Sequence, residues 1–429
     1  MMPGLEDQLR RPVRGMRDIT PEQYYALKKV EEGLSKVAEA FGYRRIETPA
    51  VEHFEVLARK AGREIVDEIY YFRDKAGREL GLRFDMTVPV ARVLSYRLDE
   101  PKPVRWYYFT KVWRYDEPQH GRYREFHQFG VELVGSDSPR ADAEVLALMA
   151  KSLEAVGVRD YVIRLNDRAA MDRMLASLGV GGSREEVLRA LDKRGKVPDG
   201  EILEMLRRAG LDGAAAEALM ALISERRPGS EAPDFFSKYD RDLGERYGRI
   251  VKALDAYGVL GRFEVDLSIV RGLDYYTGLV FEAYAGEYRL AVGGGGRYDN
   301  LIELYSGVRT PALGFAIGVE RLMEAAGITR AERPLDYYIY PVTEDAFKTA
   351  VEVAEALRDK GASVAVDLGE LTLREALERA AKTGVAYFVI IGRKELEKGV
   401  VRIRDMRKRV ELEVELDRVR GGLASPYAP

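Results

Sequence analysis

Gln128 and Glu132 stand four residues apart with Gly130 between them, inside the run 109–134, FTKVWRYDEPQHGRYREFHQFGVELV. In an extended chain, side chains alternate, so Gln128, Gly130 and Glu132 share one face while Phe129, Val131 and Leu133 share the other. The apolar face is expected to bury, and the polar face can receive a ligand, with Gly130 leaving room for close approach to the sheet. Arg114, Arg122 and Arg124 add fixed positive charge suited to a phosphate or carboxylate. The chemistry implied is the holding of a small zwitterion beside a polyphosphate. An ordinary solvated sheet face would use the same residue types, and this stretch alone does not choose between the two.

These residues need elements to position them. The loop between the two halves of the run contains Pro118 and Gly121, which predicts an antiparallel hairpin. Upstream, Thr20, Pro21 and Gln23 form a helix start with a capping box, followed by Leu27, Val30, Leu34, Val37 and Phe41 at helical spacing and Gly42 as terminator. A strand over 43–49 ends at Pro49, and paired strands are expected at 70–72 and 80–84 around the turn 74–77. Asp85 and Thr87 follow at a strand end, where they can bind a ligand or simply cap the next helix. A helix over 141–156 and a strand over 161–165 come next. Residues 167–257 then read as short helices, broken at 181–183, Pro198 and 228–230, in a module apart from the sheet.

Strands are expected again at 263–267 and 279–284, with RGLDYYTG at 271–278 leading into the second. Tyr276, Gly278, Val280 and Glu282 alternate along one face, so Tyr276 can reach the pocket of Glu132. A strand at 288–292 is expected to run into a glycine turn at 293–296, followed by Arg297, Tyr298 and Asp299. That turn is not a P-loop, because no Gly-Lys-Ser/Thr follows it. ALGFAIGVERLM at 312–323 reads as a strand entering a helix, with Arg321 early in the helix. Beyond 331, strands at 337–342, 363–367, 385–391 and 400–404 alternate with helices at 346–360 and 373–382, predicting a small α/β domain with a mainly parallel sheet. Residues 393–409 are locally basic, with Lys394, Lys398, Arg402, Arg404, Arg407 and Lys408, as a phosphate-tracking surface or a solvated face would be.

Several of these stretches resemble one family. WRYDEPQHGRYREFHQFGVE is similar to motif 2 of class II aminoacyl-tRNA synthetases in its histidyl-tRNA synthetase form, and RGLDYYTG resembles a signature of the same family. The helix, strand and Pro49 resemble motif 1, which forms a dimer interface in the family, and residues 312–323 resemble motif 3. The resemblance implies an α+β catalytic domain over 1–330, with an antiparallel sheet, flanking helices and a helical insertion at 167–258 that contacts the tRNA acceptor arm. It also implies a C-terminal α/β anticodon-binding domain over 331–429. The implied reaction uses ATP, with Mg²⁺ carried by the nucleotide, to activate histidine and transfer it to tRNA(His). By the same resemblance, Asp85, Thr87 and Gln128 take the α-ammonium, and Glu132 and Tyr276, with Tyr275 beside them, take the imidazole. Arg271 and Arg114 act at the α-phosphate, and Arg271 also borders the histidine. Arg114, Arg122 and Arg321 hold ATP, and Glu117 and Gln119 meet the tRNA acceptor end. His127 lies on the Phe129 face and reads as a packed, hydrogen-bonded core residue. The alternative is a histidine-binding regulatory paralogue, the regulatory subunit of ATP phosphoribosyltransferase. That reading is disfavoured by the presence of Arg114, Arg271, Arg321 and the C-terminal domain.

Composition narrows the rest. At 429 residues the chain has room for two or three domains, and its 46% hydrophobic and 32% charged content suits a globular enzyme. The absence of Cys removes thiol nucleophiles, thiolate metal sites and disulfides, and having only three His argues against a histidine zinc site; no metal ligands are assigned. A net charge of −3 gives no overall attraction to nucleic acid. No apolar run approaches a membrane span, and the first residues lack the core of a secretory signal, so a cytoplasmic location is expected. Two Asn in the whole chain, no Cys and abundant charge point to a thermophile.

Overall fold

The computed structural model describes residues 9–59, 66–118, 121–180, 184–193, 197–270, 276–288, 290–332, 335–369 and 371–421. Arg271, Tyr275 and Gln119 lie outside the described residues. The chain divides into two compact units, 1–331 and 332–429.

The first unit is built on a nine-stranded sheet. Its strands are β1 (Arg44–Arg45), β5 (Val104–Trp113), β6 (Glu125–Val134), β7 (Tyr161–Asp167), β8 (Arg226–Pro228), β9 (Phe263–Asp266), β10 (Leu279–Ala285), β11 (Gly293–Arg297) and β12 (Ala312–Gly318). They lie in the order β1-β5-β6-β12-β11-β10-β7-β9-β8, antiparallel except for β1 with β5 and β7 with β9. The expected hairpin is β5 and β6, with Tyr108 opposite Gly130 and Trp106 opposite Glu132. Directly opposed residues share a face. Across β6, β12, β11 and β10, one such row is Glu132, Gly314, Gly296 and Val280, and the next is Gly130, Ala316, Gly294 and Glu282.

The other face carries Phe129, Val131, Phe315, Ile317 and Phe281, all buried beneath two helices, α1 (Pro21–Ala40) and α3 (Pro139–Ala155). α1 forms as its start predicts: Pro21 is the first helical residue, and the Thr20 backbone N–H donates to Gln23 Oε1 at 3.0 Å. Leu27, Val30 and Leu34 point into the core, each burial contributing roughly 1.5–3 kcal/mol. On the ligand side, α2 (Thr87–Ser95) packs Val90, Ala91 and Leu94 against Trp106, Tyr108 and Tyr298. A separate three-stranded sheet, β2 (Val51–His53), β4 (Glu79–Leu82) and β3 (Tyr71–Arg73) in that order, contains the expected pair around 74–77. Asp74 Oδ1 closes its turn by accepting from the N–H groups of Ala76 and Arg78, both at 2.9 Å.

Three expectations are corrected here. Residues 293–296 are not a turn but the strand β11 in the middle of the sheet, and 288 and 290–292 lie in no strand, 289 being outside the described residues. Glycine serves as strand residue because its neighbours close in: a Cβ at Gly293 would lie 2.7 Å from the Ala316 carbonyl oxygen, and one at Gly296 would lie 2.9 Å from the Tyr276 ring. The strand predicted over 43–49 shrinks to Arg44–Arg45. The helical stretch 167–257 is not apart from the sheet, since β8 forms its edge, with Arg226 Nε 2.9 Å from Asp266 Oδ2. Leu188, Ile202, Leu206, Leu219 and Ile223 of its helices belong to the same core as the sheet.

The second unit holds β13 (Tyr337–Pro341), β14 (Val364–Val366), β15 (Tyr387–Ile391), β16 (Val400–Asp405) and β17 (Val410–Glu415), in the order β14-β13-β15-β16-β17. Its helices include 344–359 and 373–382, which supply the crossovers that make β13 parallel to β14 and β15. β16 and β17 run antiparallel, so the sheet is mixed rather than mainly parallel. The reversal between them is tight, with Asp405 Oδ1 accepting from the N–H groups of Arg407 and Lys408 at 2.9 and 2.8 Å. The basic stretch is largely matched by acid: Lys398 with Glu413 and Arg404 with Glu411, both at 3.3 Å, and Arg402 with Glu395.

Candidate active site

Glu132 is the centre of the polar face. It is 1% exposed, and each carboxylate oxygen has its own donor: Thr87 Oγ1 to Oε1 at 3.1 Å, and the Tyr298 hydroxyl to Oε2. The carboxylate fits because Gly314 faces it with no side chain; a Cβ there would collide with Oε2. Burial pushes the Glu132 pKa from 4.5 to about 8, while the Tyr298 and Thr87 hydroxyls pull it back and the charge of Asp85 adds to the rise. Asp85, just before α2, is also raised by burial, against the opposing charge of Arg114. Its Oδ1 accepts from the Val88 N–H at 3.4 Å, so it caps α2 as well as facing the pocket.

Gln128 lies on the same face of β6, beyond Gly130, and its Oε1 is buried with no hydrogen-bond partner among the described residues. A buried amide oxygen left unpaired costs about 1–3 kcal/mol. The half-buried Tyr276 lies with its ring over Gly296, two strands across the same row from Glu132. The floor between these groups is Gly130, Gly294, Gly296 and Gly314.

The arginines differ in what holds them. Arg114 donates from Nε to the Phe84 carbonyl at 3.0 Å and stands over the Phe126 ring at 5.4 Å, beside Asp85. Arg321, on α4 (Val319–Ala325), donates to the Gly121 carbonyl at 2.9 Å and the Ala291 carbonyl at 3.4 Å. Arg122 is engaged by acid, with Nε 2.6 Å from Asp116 Oδ2 and Nη2 4.0 Å from Glu68. Burial, with the neighbouring Asp116, pushes Glu68 up to about 7. Glu117 is exposed and paired with Arg14. His127 is packed as expected, its Nδ1 2.9 Å from Glu320 Oε1 and its ring 5.8 Å from that of Phe109.

Four residues that sequence reasoning passed over belong to this site. Tyr108 projects its hydroxyl over Gly130, a placement readable once the hairpin register is known. Tyr298 follows the glycine strand, whose misreading as a turn hid it. Glu320 holds His127 from α4. Arg83, 3% exposed, donates to the carbonyls of Thr48 and Lys111 and to Thr110 Oγ1, pinning the segment before Asp85 against β5; only its position two residues before Asp85 hinted at this.

Among the described residues, no group of three or more His, Asp or Glu is arranged to hold a metal, and no helix is long and apolar enough to cross a membrane. A family model described as histidyl-tRNA synthetase matches residues 15–322, and one described as an anticodon binding domain matches 336–425. The chain belongs to the histidyl-tRNA synthetase family. It is 63% identical to the histidine–tRNA ligase of Pyrobaculum calidifontis and 64% identical to that of Pyrobaculum arsenaticum, covering 97% of this chain and 99% of the relative in each case. The crystal structure of histidyl-tRNA synthetase from Nostoc superposes with a TM-score of 0.80 at 25% identity, covering 95% of this chain and 97% of that one. Such identity over nearly the full length favours the synthetase over the regulatory paralogue. The activity is that of the family, ligation of histidine to tRNA with use of ATP.

Proposed function

We propose that histidine sits on the glycine floor with its imidazole toward Glu132 and Tyr276 and its ammonium toward Asp85, Thr87 and Gln128. The observation that carries this reading is the sealed Glu132 carboxylate, oriented by two hydroxyl donors beside a row of glycines. A neutral imidazole presents one donor and one acceptor, which a carboxylate and a phenol satisfy. The unpaired Gln128 Oε1 supplies an acceptor that an ammonium would occupy.

The first step needs no protein nucleophile. The histidine carboxylate attacks the α-phosphorus of ATP, a P–O bond forms, and pyrophosphate leaves with the bonding pair. Arg114, fixed through Nε and stacked on Phe126, supports charge developing at the α-phosphate, and Arg271 joins it on the strength of the family resemblance. Arg321 and Arg122 hold the outer phosphates, Arg122 after release from Asp116. Mg²⁺ travels with the nucleotide. Glu117 and Gln119 meet the tRNA acceptor end, the helices of 167–258 meet the acceptor arm, and the unit beyond 331 binds the anticodon. The assembly is a homodimer in the cytoplasm of a thermophile.

The test is ATP–pyrophosphate exchange with each of the twenty amino acids supplied singly. Exchange with histidine alone is the expected result. Histidine binding without exchange would overturn the catalytic reading and leave a sensor.

A further inference from the structure

Arg297, Tyr298 and Asp299 directly follow the glycine strand, and each fixes a different part of the pocket. Arg297, 3% exposed, is anchored on the far side of the sheet to Asp142 at 2.8 Å, and its carbonyl accepts from the Thr277 N–H at 2.7 Å, holding the residue next to Tyr276. Asp299 donates its N–H to Thr277 Oγ1 at 3.1 Å, and its Oδ1 accepts from the Ala312 N–H at 3.0 Å. Between them Tyr298, 2% exposed, packs among Met86, Val90 and Leu301 and sends its hydroxyl to Glu132.

We propose that Tyr298 is a specificity-determining positioning residue: by donating to Glu132 Oε2 from an anchored backbone, it holds Glu132 as the acceptor for the imidazole N–H of histidine. This deepens the reading of Glu132 given above and rests on it. A carboxyl in this position is the stronger acceptor for the substrate when ionised, because protonation turns one of its oxygens into a donor. The surroundings oppose ionisation. The Tyr108 hydroxyl on β5 favours the ionised form, but burial and the like charge of Asp85 outweigh it, and Arg114 offsets the charge of Asp85. The hydroxyls of Thr87 and Tyr298 counter this from both oxygens. Thr87 belongs to the ammonium site, whereas Tyr298 has no proposed contact with substrate, so its effect on histidine passes through Glu132.

The test is Tyr298→Phe, which keeps the ring in its apolar cluster and deletes the donor. Exchange is measured from pH 6 to 10 at varied histidine and at varied ATP, and each constant is taken as the ratio of variant to wild type so that the ionisation of free histidine cancels. The expected ratio of histidine KM is about tenfold at pH 7, as a one-unit rise in the Glu132 pKa would give, falling toward unity above pH 9, with the ATP ratio flat throughout. A histidine ratio near one at all pH, or one raised equally at every pH and matched by ATP, would overturn the proposal. Should the variant fold poorly, 2,3-difluorotyrosine at 298 strengthens the donor and should lower the histidine KM below pH 8; no shift would count against the role. Glu132→Gln is run in parallel. If it too leaves histidine KM unchanged, the assignment of Glu132 itself has failed, whereas an effect of Glu132→Gln without one of Tyr298→Phe rejects Tyr298 alone.

Discussion

Arg297 donates from Nε to Asp142 Oδ1 at 2.8 Å across a space where the two side chains are 3% and 0% exposed. Arg246, from the helix 241–256, reaches the other oxygen of Asp142, and the Arg297 Nη1 also touches Asp299 at 3.1 Å. Burial raises the Asp142 pKa, and the two guanidinium charges oppose it. The cluster thus ties the helical stretch, α3 and the end of the glycine strand together beneath the pocket.

Removing one partner from such a cluster leaves a buried charge, which costs more than the pair itself is worth. Asp142→Ala is therefore expected to lose about 3–5 kcal/mol in urea unfolding. Asp142→Leu combined with Arg297→Met should lose much less than the single variant. A single-variant loss under about 1 kcal/mol would place the cluster with weak surface pairs.

How much of this was readable beforehand differs from residue to residue. Period-two alternation sufficed for Gln128 and Glu132 on one face and Phe129 and Val131 on the other, because both sides of β6 are specified by neighbouring strands. The start of α1 was equally plain, since Thr20, Pro21 and Gln23 act within one turn. The glycines at 293–296 carry no alternation, so local chemistry suggested a turn; only the crowding of Phe315, Ile317 and Tyr276 makes them a strand. The basic residues near 400 left a phosphate-tracking surface open because two of their acids, Glu411 and Glu413, arrive on β17, which the sequence does not reveal as their partner. Tyr298 and Arg83 were hidden for the same reason: what they bond comes from distant segments.

Glu132→Gln removes the ionisable acceptor while keeping the shape of the side chain. The histidine kcat/KM is expected to fall by about 10²-fold or more, since an unmatched buried polar group in a recognition site is costly. The ATP KM should stay within a few-fold of wild type. Equal losses toward both substrates in steady-state exchange would remove Glu132 from histidine recognition.

The same carboxyl makes stability depend on pH. Burial pushes its pKa up to about 8 from the ordinary 4.5 of a glutamate, so the folded state holds the proton more tightly. Its contribution is fully present below the lower value and is lost as pH rises through the upper one. Unfolding in urea should therefore show stability declining between pH 5 and 8, by an amount on the order of a few kcal/mol. Glu132→Gln should flatten that decline, and an unchanged slope would show that the carboxyl is ionised in the folded protein throughout.

Arg114→Ala tests the division of labour between binding and chemistry. Its guanidinium is held by the Phe84 carbonyl and Phe126 rather than by the groups around Glu132. Losing one preorganised donor to developing charge typically costs 10²–10³ in rate. Exchange should fall by about that factor while histidine binding, followed by calorimetry, changes by only a few-fold. A variant that keeps most of its exchange would exclude Arg114 from the α-phosphate, and parallel loss of histidine affinity would assign it to the ammonium site through Asp85. Arg271→Ala is expected to behave in the same way.

The glycine floor makes the sharpest steric prediction. At Gly314 a Cβ would fall on the Glu132 carboxylate and the Val131 carbonyl, the first of which is held by Thr87 and Tyr298 and cannot swing away without breaking both bonds. Gly314→Ala should raise the histidine KM at least tenfold, an order-of-magnitude expectation for a displaced hydrogen-bonding group. The ATP KM should move little, because the arginines lie elsewhere on the strand ends. Gly200, in the first turn of the helix 199–208, has nothing within 4 Å of the same added atom. There the substitution only removes backbone freedom from the unfolded chain, so Gly200→Ala should leave exchange unchanged and add about 0.4–1 kcal/mol of stability. If Gly314→Ala behaves like Gly200→Ala, Glu132 is not confined as the structure has it, and the selection of histidine must come from another wall of the pocket.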